Sequence, residues 1–152
     1  NYGAEISLDS QISDTVNMFL NLGILETEIR KYQSRPDLEG REQAHAPDYS
    51  FSAGLSWEIS NNLEFLLDLN GKSDFYYSDS HDNTSDDYIL TNINMIYTKD
   101  KINLNFWVRN IFDEYYSLRG FYFGNEPPNF EDTLYERHGD PRTYGLTFRY
   151  DF

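Results

Sequence analysis

Tyr49-Ser50-Phe51-Ser52-Ala53-Gly54-Leu55-Ser56-Trp57-Glu58-Ile59, then Ser60-Asn61-Asn62, then Leu63-Glu64-Phe65-Leu66-Leu67-Asp68-Leu69-Asn70, is the stretch on which the reading of this 152-residue chain turns. Apolar side chains fall on alternate positions on both sides of a short polar break. A period of two belongs to the β-strand, whose successive side chains point to opposite faces. Two such runs joined by two or three polar residues form a hairpin.

The same pattern extends outward in both directions. Upstream, Tyr2, Ala4, Ile6 and Leu8 alternate with Gly3, Glu5, Ser7 and Asp9. After a break at Ser13-Asp14, Val16, Met18, Leu20 and Leu22 alternate with Asn17, Phe19 and Asn21. Downstream, Ile89, Ile93, Met95 and Tyr97 stand against Asn92 and Asn94. Beyond Lys99-Asp100-Lys101, Ile102, Leu104, Phe106 and Val108 stand against Asn103, Asn105 and Arg109. The last run sets Tyr144, Leu146, Phe148, Tyr150 and Phe152 against Thr143, Gly145, Thr147, Arg149 and Asp151. The pattern predicts seven strands in an all-β, antiparallel up-and-down meander.

The connections are of two kinds. Those near residues 10–15, 60–62 and 99–101 are short polar turns, whereas those over 26–47, 74–87 and 111–142 are long, charged and rich in Gly, Pro, Asn and Asp. Short and long alternate throughout. Compact soluble domains seldom carry several long structureless loops, while outer-membrane β-barrels pair short periplasmic turns with long extracellular loops. Bacterial single-chain barrels have an even number of strands and no open edge. Seven strands therefore lead us to expect a segment of a larger barrel.

Composition narrows the function classes. A net charge of −14 with no basic stripe argues against nucleic acid. Without cysteine there is no disulfide, thiol chemistry or Cys-based zinc site. No run approaches the roughly 18 apolar residues of a membrane helix, but a barrel strand needs only about 9–11 alternating ones. Thirteen Tyr and eleven Phe suit a pleated surface. The chain opens on a strand-like pattern with no signal-peptide features.

The alternation leaves open which face is dry. In a soluble sandwich the apolar rows form the core, and Leu55, Leu67, Phe106 and Phe148 meet inside it. In a barrel those rows face lipid and the polar rows line a wet lumen. The polar rows carry Glu5, Glu58, Glu64, Asp68, Arg149 and Asp151, which favours the barrel. Aromatics also cluster at the ends of the apolar rows: Tyr49 and Tyr144 at one end, Trp57, Tyr97 and Phe152 at the other. Tyr49 to Trp57 spans about 26 Å along a strand, or about 20 Å after tilting, near the expected lipid band. Phe19 and Trp107 depart from this scheme, since both have lumen parity. Packing on a plug or a register-shifting bulge would explain them.

The end of the chain resembles that of the TonB-dependent outer-membrane receptors. Trp107-Val108-Arg109-Asn110-Ile111-Phe112-Asp113-Glu114-Tyr115-Tyr116 is similar to the family's N-L-F-D-x-x-Y signature, with Asn110, Phe112, Asp113 and Tyr116 in the matching places. Pro141-Arg142, leading to Gly145, resembles its P-R-x-x-G approach to the final strand, and the stretch from Gly40 through Pro47 to Leu55 resembles an earlier descending strand. The likeness is sharp over 107–152. It implies that residues 1–152 are the C-terminal part of a 22-stranded barrel whose plug domain and earlier strands lie outside this sequence. It further implies location in the outer membrane of a Gram-negative bacterium, in contact with its lipid. The activity implied is uptake of a scarce nutrient such as a ferric siderophore, powered through TonB acting on a missing N-terminal part. Phe148, Tyr150 and Phe152 would be the assembly signal read by the barrel-assembly machinery through strand addition.

Ligand recognition is expected on the long loops, which carry function on rigid scaffolds. Interleaved aromatics and arginines suit an aromatic or anionic chelate through stacking and bidentate contacts. The candidates are Arg30, Tyr32 and Arg35 in the first loop, and Phe75, Tyr76 and Tyr77 in the second. In the third they are Arg119, Phe121, Tyr122, Phe123, Tyr135 and Arg137. Arg142 is expected to pair with Asp113 or Glu114, and Arg109 and Arg149 with a plug. The segment 79–87 gathers oxygen ligands for calcium but lacks EF-hand spacing, so a solvated acidic loop is the simpler expectation. His45, His81 and His138 show no ligand spacing, and no metal, cofactor or catalytic set is expected. A small outer-membrane barrel enzyme and a soluble β-sandwich binding module are the competing readings.

Overall fold

The computed structural model describes residues 1–152. Its main element is a seven-stranded antiparallel sheet: β1 (Tyr2–Ser13), β2 (Val16–Glu26), β3 (Tyr49–Ser60), β4 (Leu63–Lys72), β5 (Tyr88–Lys99), β6 (Ile102–Arg109) and, after a detour, β9 (Thr143–Tyr150). Neighbours in space are neighbours in sequence except for the β6–β9 step, and β1 and β9 are the edges. The three short connections are two-residue turns: Asp14-Thr15, Asn61-Asn62 and Asp100-Lys101. Asp100 takes the left-handed conformation (φ 52°) that Asp tolerates in a tight turn.

The register brings apolar residues into rows that cross the sheet. Met18, Leu55, Leu67, Ile93, Val108 and Tyr144 are successive cross-strand partners. So are Val16, Trp57, Phe65, Met95, Phe106 and Leu146. These rows lie on one face, and no other strand packs against it. Phe106 is 46% and Phe148 62% exposed, and neither Leu55 nor Leu67 is buried. The dry centre that a sandwich requires is absent.

The other face is hollow. Asp9, Gln11, Asn17, Ser56, Asp68, Asn92, Asn94, Asn105 and Arg109 line a trough of about 960 Å³. Glu5, Ser7, Asn21, Ser50 and Ser52 line a second, of about 340 Å³. Amides and carboxylates pair across this wall. Asn92 Nδ2 donates to Asp68 Oδ1 at 3.1 Å and Asn21 Nδ2 to Ser52 Oγ at 3.2 Å; Asn70 Nδ2 also donates to Asp68.

Phe19 and Trp107 keep their place on the polar face, with neither a plug nor a bulge needed to explain them. The register is unbroken at both: Phe19 faces Gly54 and Trp107 faces Gly145. Each ring covers its glycine so closely that a Cβ there would collide with it. A glycine exposes backbone and packs nothing in a strand; an aromatic ring laid across it from the next strand repairs both defects.

The link over 111–142 departs from expectation. It folds into a hairpin of its own, β7 (Ser117–Phe123) with β8 (Thr133–His138), separate from the main sheet. The alternation of Arg119, Phe121 and Phe123 carries little strand signal, because Leu118, Gly120 and Tyr122 interrupt any clean polar face. The other long links are also shaped: 27–48 holds a 3-10 turn at Pro36–Leu38, and 73–87 closes on a Tyr76–Thr84 bridge.

Candidate ligand-recognition site

The buried side chains lie outside the seven-stranded sheet. Leu38, Phe75 and Tyr77 are the buried apolar ones, and Thr27, Ser73, Ser85, Asn110 and Ser117 the buried polar ones. All belong to the long connections, which are thereby joined into one cap over the end of the sheet where β2, β4 and β6 finish.

Two knots tie the second loop to the hairpin. Tyr77 is 4% exposed, and its ring fills the space above Gly120. Its hydroxyl donates to Glu136 Oε1 at 2.5 Å, and Ser117 Oγ donates to the same oxygen at 2.8 Å. Burial and the adjoining carboxylate push the Tyr77 phenol up to about 12, and the two donated hydrogen bonds hold Glu136 below the usual carboxylate range. In the second knot, Tyr122 donates to Asn83 Oδ1 at 2.6 Å while its ring stacks on His81 at 3.6 Å between centroids. His81 Nε2 also lies 3.6 Å from Asp132 Oδ2.

The first loop joins through Arg41. Its Nη1 pairs with Asp82 Oδ1 at 2.7 Å, its Nη2 donates to the His81 carbonyl, and its guanidinium lies over the Tyr76 ring. Ala44 N donates to Asp79 Oδ1 at 2.7 Å, and His45 N to the Tyr76 carbonyl at 2.9 Å. Asp79, His81, Asp82 and Asn83 thus tie loops together, while Ser80 bonds within its own loop. No group of three acidic, His or Cys side chains gathers as a metal site.

The third loop is clasped at its base by the residues of the Asn-x-Phe-Asp signature. Asn110, 4% exposed and left-handed at φ 49°, accepts from Glu114 N at 2.8 Å. Its Nδ2 donates to the carbonyls of Glu114 (2.9 Å) and Asp140 (3.2 Å). Asp113 Oδ1 accepts from Arg142 N at 2.7 Å, and the Tyr116 ring covers Gly139 and lies 4.6 Å from Tyr88. The signature therefore fastens the start of the loop to its end. Asp113 does meet residue 142, but through the backbone: the Arg142 guanidinium reaches the Ile111 carbonyl at 3.3 Å and forms no ion pair with Asp113 or Glu114. Phe112 is 75% exposed. On the wall, Arg149 pairs with Asp151 at 2.9 Å and Arg109 lies over Trp107.

The loop residues named from sequence divide into three groups. Arg30, Tyr32 and Arg35 stay local: Arg30 meets Glu28, Arg35 meets Asp37, and Tyr32 is exposed. Phe75, Tyr76, Tyr77 and Tyr122 hold the cap together. Arg119, Phe121, Phe123, Tyr135 and Arg137 share the other face of the hairpin, where Phe121 lies opposite Tyr135 and Arg119 opposite Arg137. Its aromatics touch, Phe121 with Phe123 at 5.2 Å and with Tyr135 at 6.1 Å. Arg41, Lys72, Asn83 and Glu136 are not among the residues named from sequence, and His45 is named there only as lacking ligand spacing. Single polar residues in loops carry no periodic signal that would single them out.

No family model matches the chain. Solved structures do share its fold. It is similar to the ferric yersiniabactin uptake receptor FyuA from Yersinia pestis, with a TM-score of 0.81 at 16% identity over 99% of this chain and 23% of that one. It is similar to the siderophore receptor PiuA from Acinetobacter baumannii, with a TM-score of 0.80 at 14% identity over 97% of this chain and 21% of that one. It is also similar to the ferric citrate transporter FecA, with a TM-score of 0.68 at 20% identity over 91% of this chain and 21% of that one. The chain spans about a fifth of the length of each receptor (21–23%). The likeness to TonB-dependent receptors carried by its last strands thus extends to the fold of nearly the whole chain.

Proposed function

We propose that the chain is wall and extracellular cap of a TonB-dependent outer-membrane receptor that takes up a scarce nutrient such as a ferric siderophore. One observation carries this reading: a sheet with a bare apolar face, a hollow polar face and ordered loops at one end, in a fold shared with siderophore and ferric-chelate receptors. The apolar rows would face lipid and the trough the lumen. Residues 1–152 would form the C-terminal part of the barrel, with plug and earlier strands outside this sequence and the sheet continuing at β1 and β9. TonB would act through the plug-bearing part, and the barrel-assembly machinery would receive Phe148, Tyr150 and Phe152. The chain itself would carry out no catalysis. The polar residues with strong contacts (Asn110, Glu136, Arg41) are all engaged in holding loops.

The test uses the complete gene product in a Gram-negative host under iron limitation. Fractionation is expected to place it in the outer membrane. Accumulation of labelled ferric chelate should require both this gene and a working energy-coupling protein. A product that stays monodisperse in plain buffer, or uptake indifferent to energy coupling, would refute the reading.

A further inference from the structure

The β7–β8 hairpin has one covered face and one bare face. Gly120, Tyr122 and Glu136 belong to the covered face, and each meets the second loop. Tyr77 lies over Gly120 and bonds Glu136, while His81 and Asn83 hold Tyr122. The bare face carries Arg119, Phe121 and Phe123 from β7, with Arg137, Tyr135 and Thr133 directly across. Its three rings form one cluster, Phe121 lying 5.2 Å from Phe123 and 6.1 Å from Tyr135 between centroids. Phe121 is 38% and Phe123 52% exposed.

Such a face is not self-sufficient. A two-stranded ribbon is marginal in water unless packed on something, and clustered exposed apolar groups mark contact surfaces. What packs there follows from the order of the cap. The first loop leans on the second, through His45 on Phe75 and Arg41 on Tyr76 and Asp82. The second leans on the hairpin, through Tyr77 and Tyr122. Each link thus packs on the next in the spatial order of its strands, β2–β3, β4–β5 and β6–β9. The hairpin comes last, and its bare face is the one opposite the second loop. Beside it β9 is an open edge of the sheet. Since β9 runs away from the cap, an antiparallel neighbour would run toward the cap and turn into a loop there.

We infer that the bare face of the hairpin is the seat of that next loop, the one topping the strand that pairs with the open edge of β9. The inference rests on the reading of the sheet as a barrel wall continuing past β9. In receptors of this fold the matched part is about a fifth of the chain (21–23%), so most of such a chain lies outside residues 1–152. Phe121, Phe123 and Tyr135 receive an apolar side chain of the loop, and a carboxylate beside it relieves the repulsion of Arg119 and Arg137 across the ladder. These residues join the cap across the β9 edge and are not contacts of a transported solute.

The experiment uses the complete gene product in outer membranes, with the photo-crosslinking residue p-benzoylphenylalanine placed singly at positions 121, 135 and 146. Leu146, mid-way along β9, reports the neighbouring strand through peptides joined to it from outside residues 1–152. Peptides joined to positions 121 and 135 are expected to come from the loop that follows that strand at its cap end, within the same molecule. Phe121→Asp should speed trypsin cleavage at Arg119 and Arg137 about tenfold, a loss of about 1.4 kcal/mol of packing. Phe121→Leu should stay near wild type, and β3 and β4 should keep their protection in both. Crosslinks from 121 and 135 to another region, to a second copy or to a foreign protein overturn the inference, as does their absence. A position 146 that finds no strand removes the premise and the inference with it. Uptake of labelled ferric chelate is scored in the same strains. Energy-dependent uptake with the crosslinks elsewhere sinks the docking alone, and the expected crosslinks without such uptake sink the transport reading alone.

Discussion

Asn110 offers the most direct test of how the signature at the end of β6 works. Replacing it with Ala removes three hydrogen bonds from a side chain that is 4% exposed, leaving Glu114 N, the Glu114 carbonyl and the Asp140 carbonyl without that partner. At about 0.5–1.5 kcal/mol each the loss is about 2–4 kcal/mol. Ala must also hold φ near 49°, which costs it about 1 kcal/mol more than Asn. The sum, about 3–5 kcal/mol, falls on the clasp rather than on the wall, because none of these partners belongs to a strand. Asn110→Gly suffers the same hydrogen-bond loss without the backbone penalty, so the two variants should differ by about 1 kcal/mol. Hydrogen exchange at Glu114 and Gly139, with limited trypsin cleavage at Arg119 and Arg137, measures loop opening in the detergent-solubilised gene product. Opening should rise at least about a hundredfold in Asn110→Ala while the amides of β3 and β4 keep their protection. Unchanged protection at Glu114 would refute the clasp. Equal loss of protection in β3 and β4 would refute its local character.

Other consequences follow from the wall and the cap. Gly54→Val should destabilise by about 1–3 kcal/mol, because the new side chain meets the Phe19 ring; Phe19→Ala in the same chain should recover part of the loss in urea unfolding. Leu67→Arg, mid-row on the apolar face, should cost about 2–4 kcal/mol of folding into lipid, whereas Asn94→Arg on the trough side should fold almost normally in the same vesicle assay. Tyr77→Phe should remove the tyrosine that titrates at about 12 from the ultraviolet pH titration. The Tyr77 contact is complete below the ordinary phenol value and lost as pH rises through the folded one. The Glu136 side is present above the ordinary carboxylate value and lost as pH falls through its depressed one, so hairpin protection against protease should fail at both extremes.

The wall was legible in the sequence because a sheet with unlike faces writes its period directly into the chain. Met18, Leu55, Leu67 and Ile93 had to share a face once each run alternated, and the two-residue turns followed from where alternation paused. The same period misled at Phe19 and Trp107. Alternation reports which face a residue takes but not what lies opposite, and the explanation rests on Gly54 and Gly145, in other strands. The hairpin of 117–138 was hidden for a related reason: its inner face is Gly120, Tyr122 and Glu136, a mixture that matches the surface of one loop rather than a continuous core. Lys72 and His45 could not be paired from sequence at all, since both are isolated polar residues that meet only at the Phe75 ring.

The division between wall and cap fits the different surroundings proposed for them. The wall has no buried apolar side chain of its own; backbone ladders and whatever covers the apolar face must hold it. In the lipid setting proposed above, backbone pairing matters most, since an unsatisfied backbone group costs several kcal/mol there and the meander satisfies all but its edges. The cap extends beyond the strands, where water competes for every hydrogen bond, and it alone has a conventional interior of Leu38, Phe75 and Tyr77. Four of the chain's acids serve this region: Asp79, Asp82, Asp113 and Glu136 each anchor one loop to another or close a loop on itself. Loops fixed in this way can present Arg119 and Arg137 side by side in spite of their repulsion.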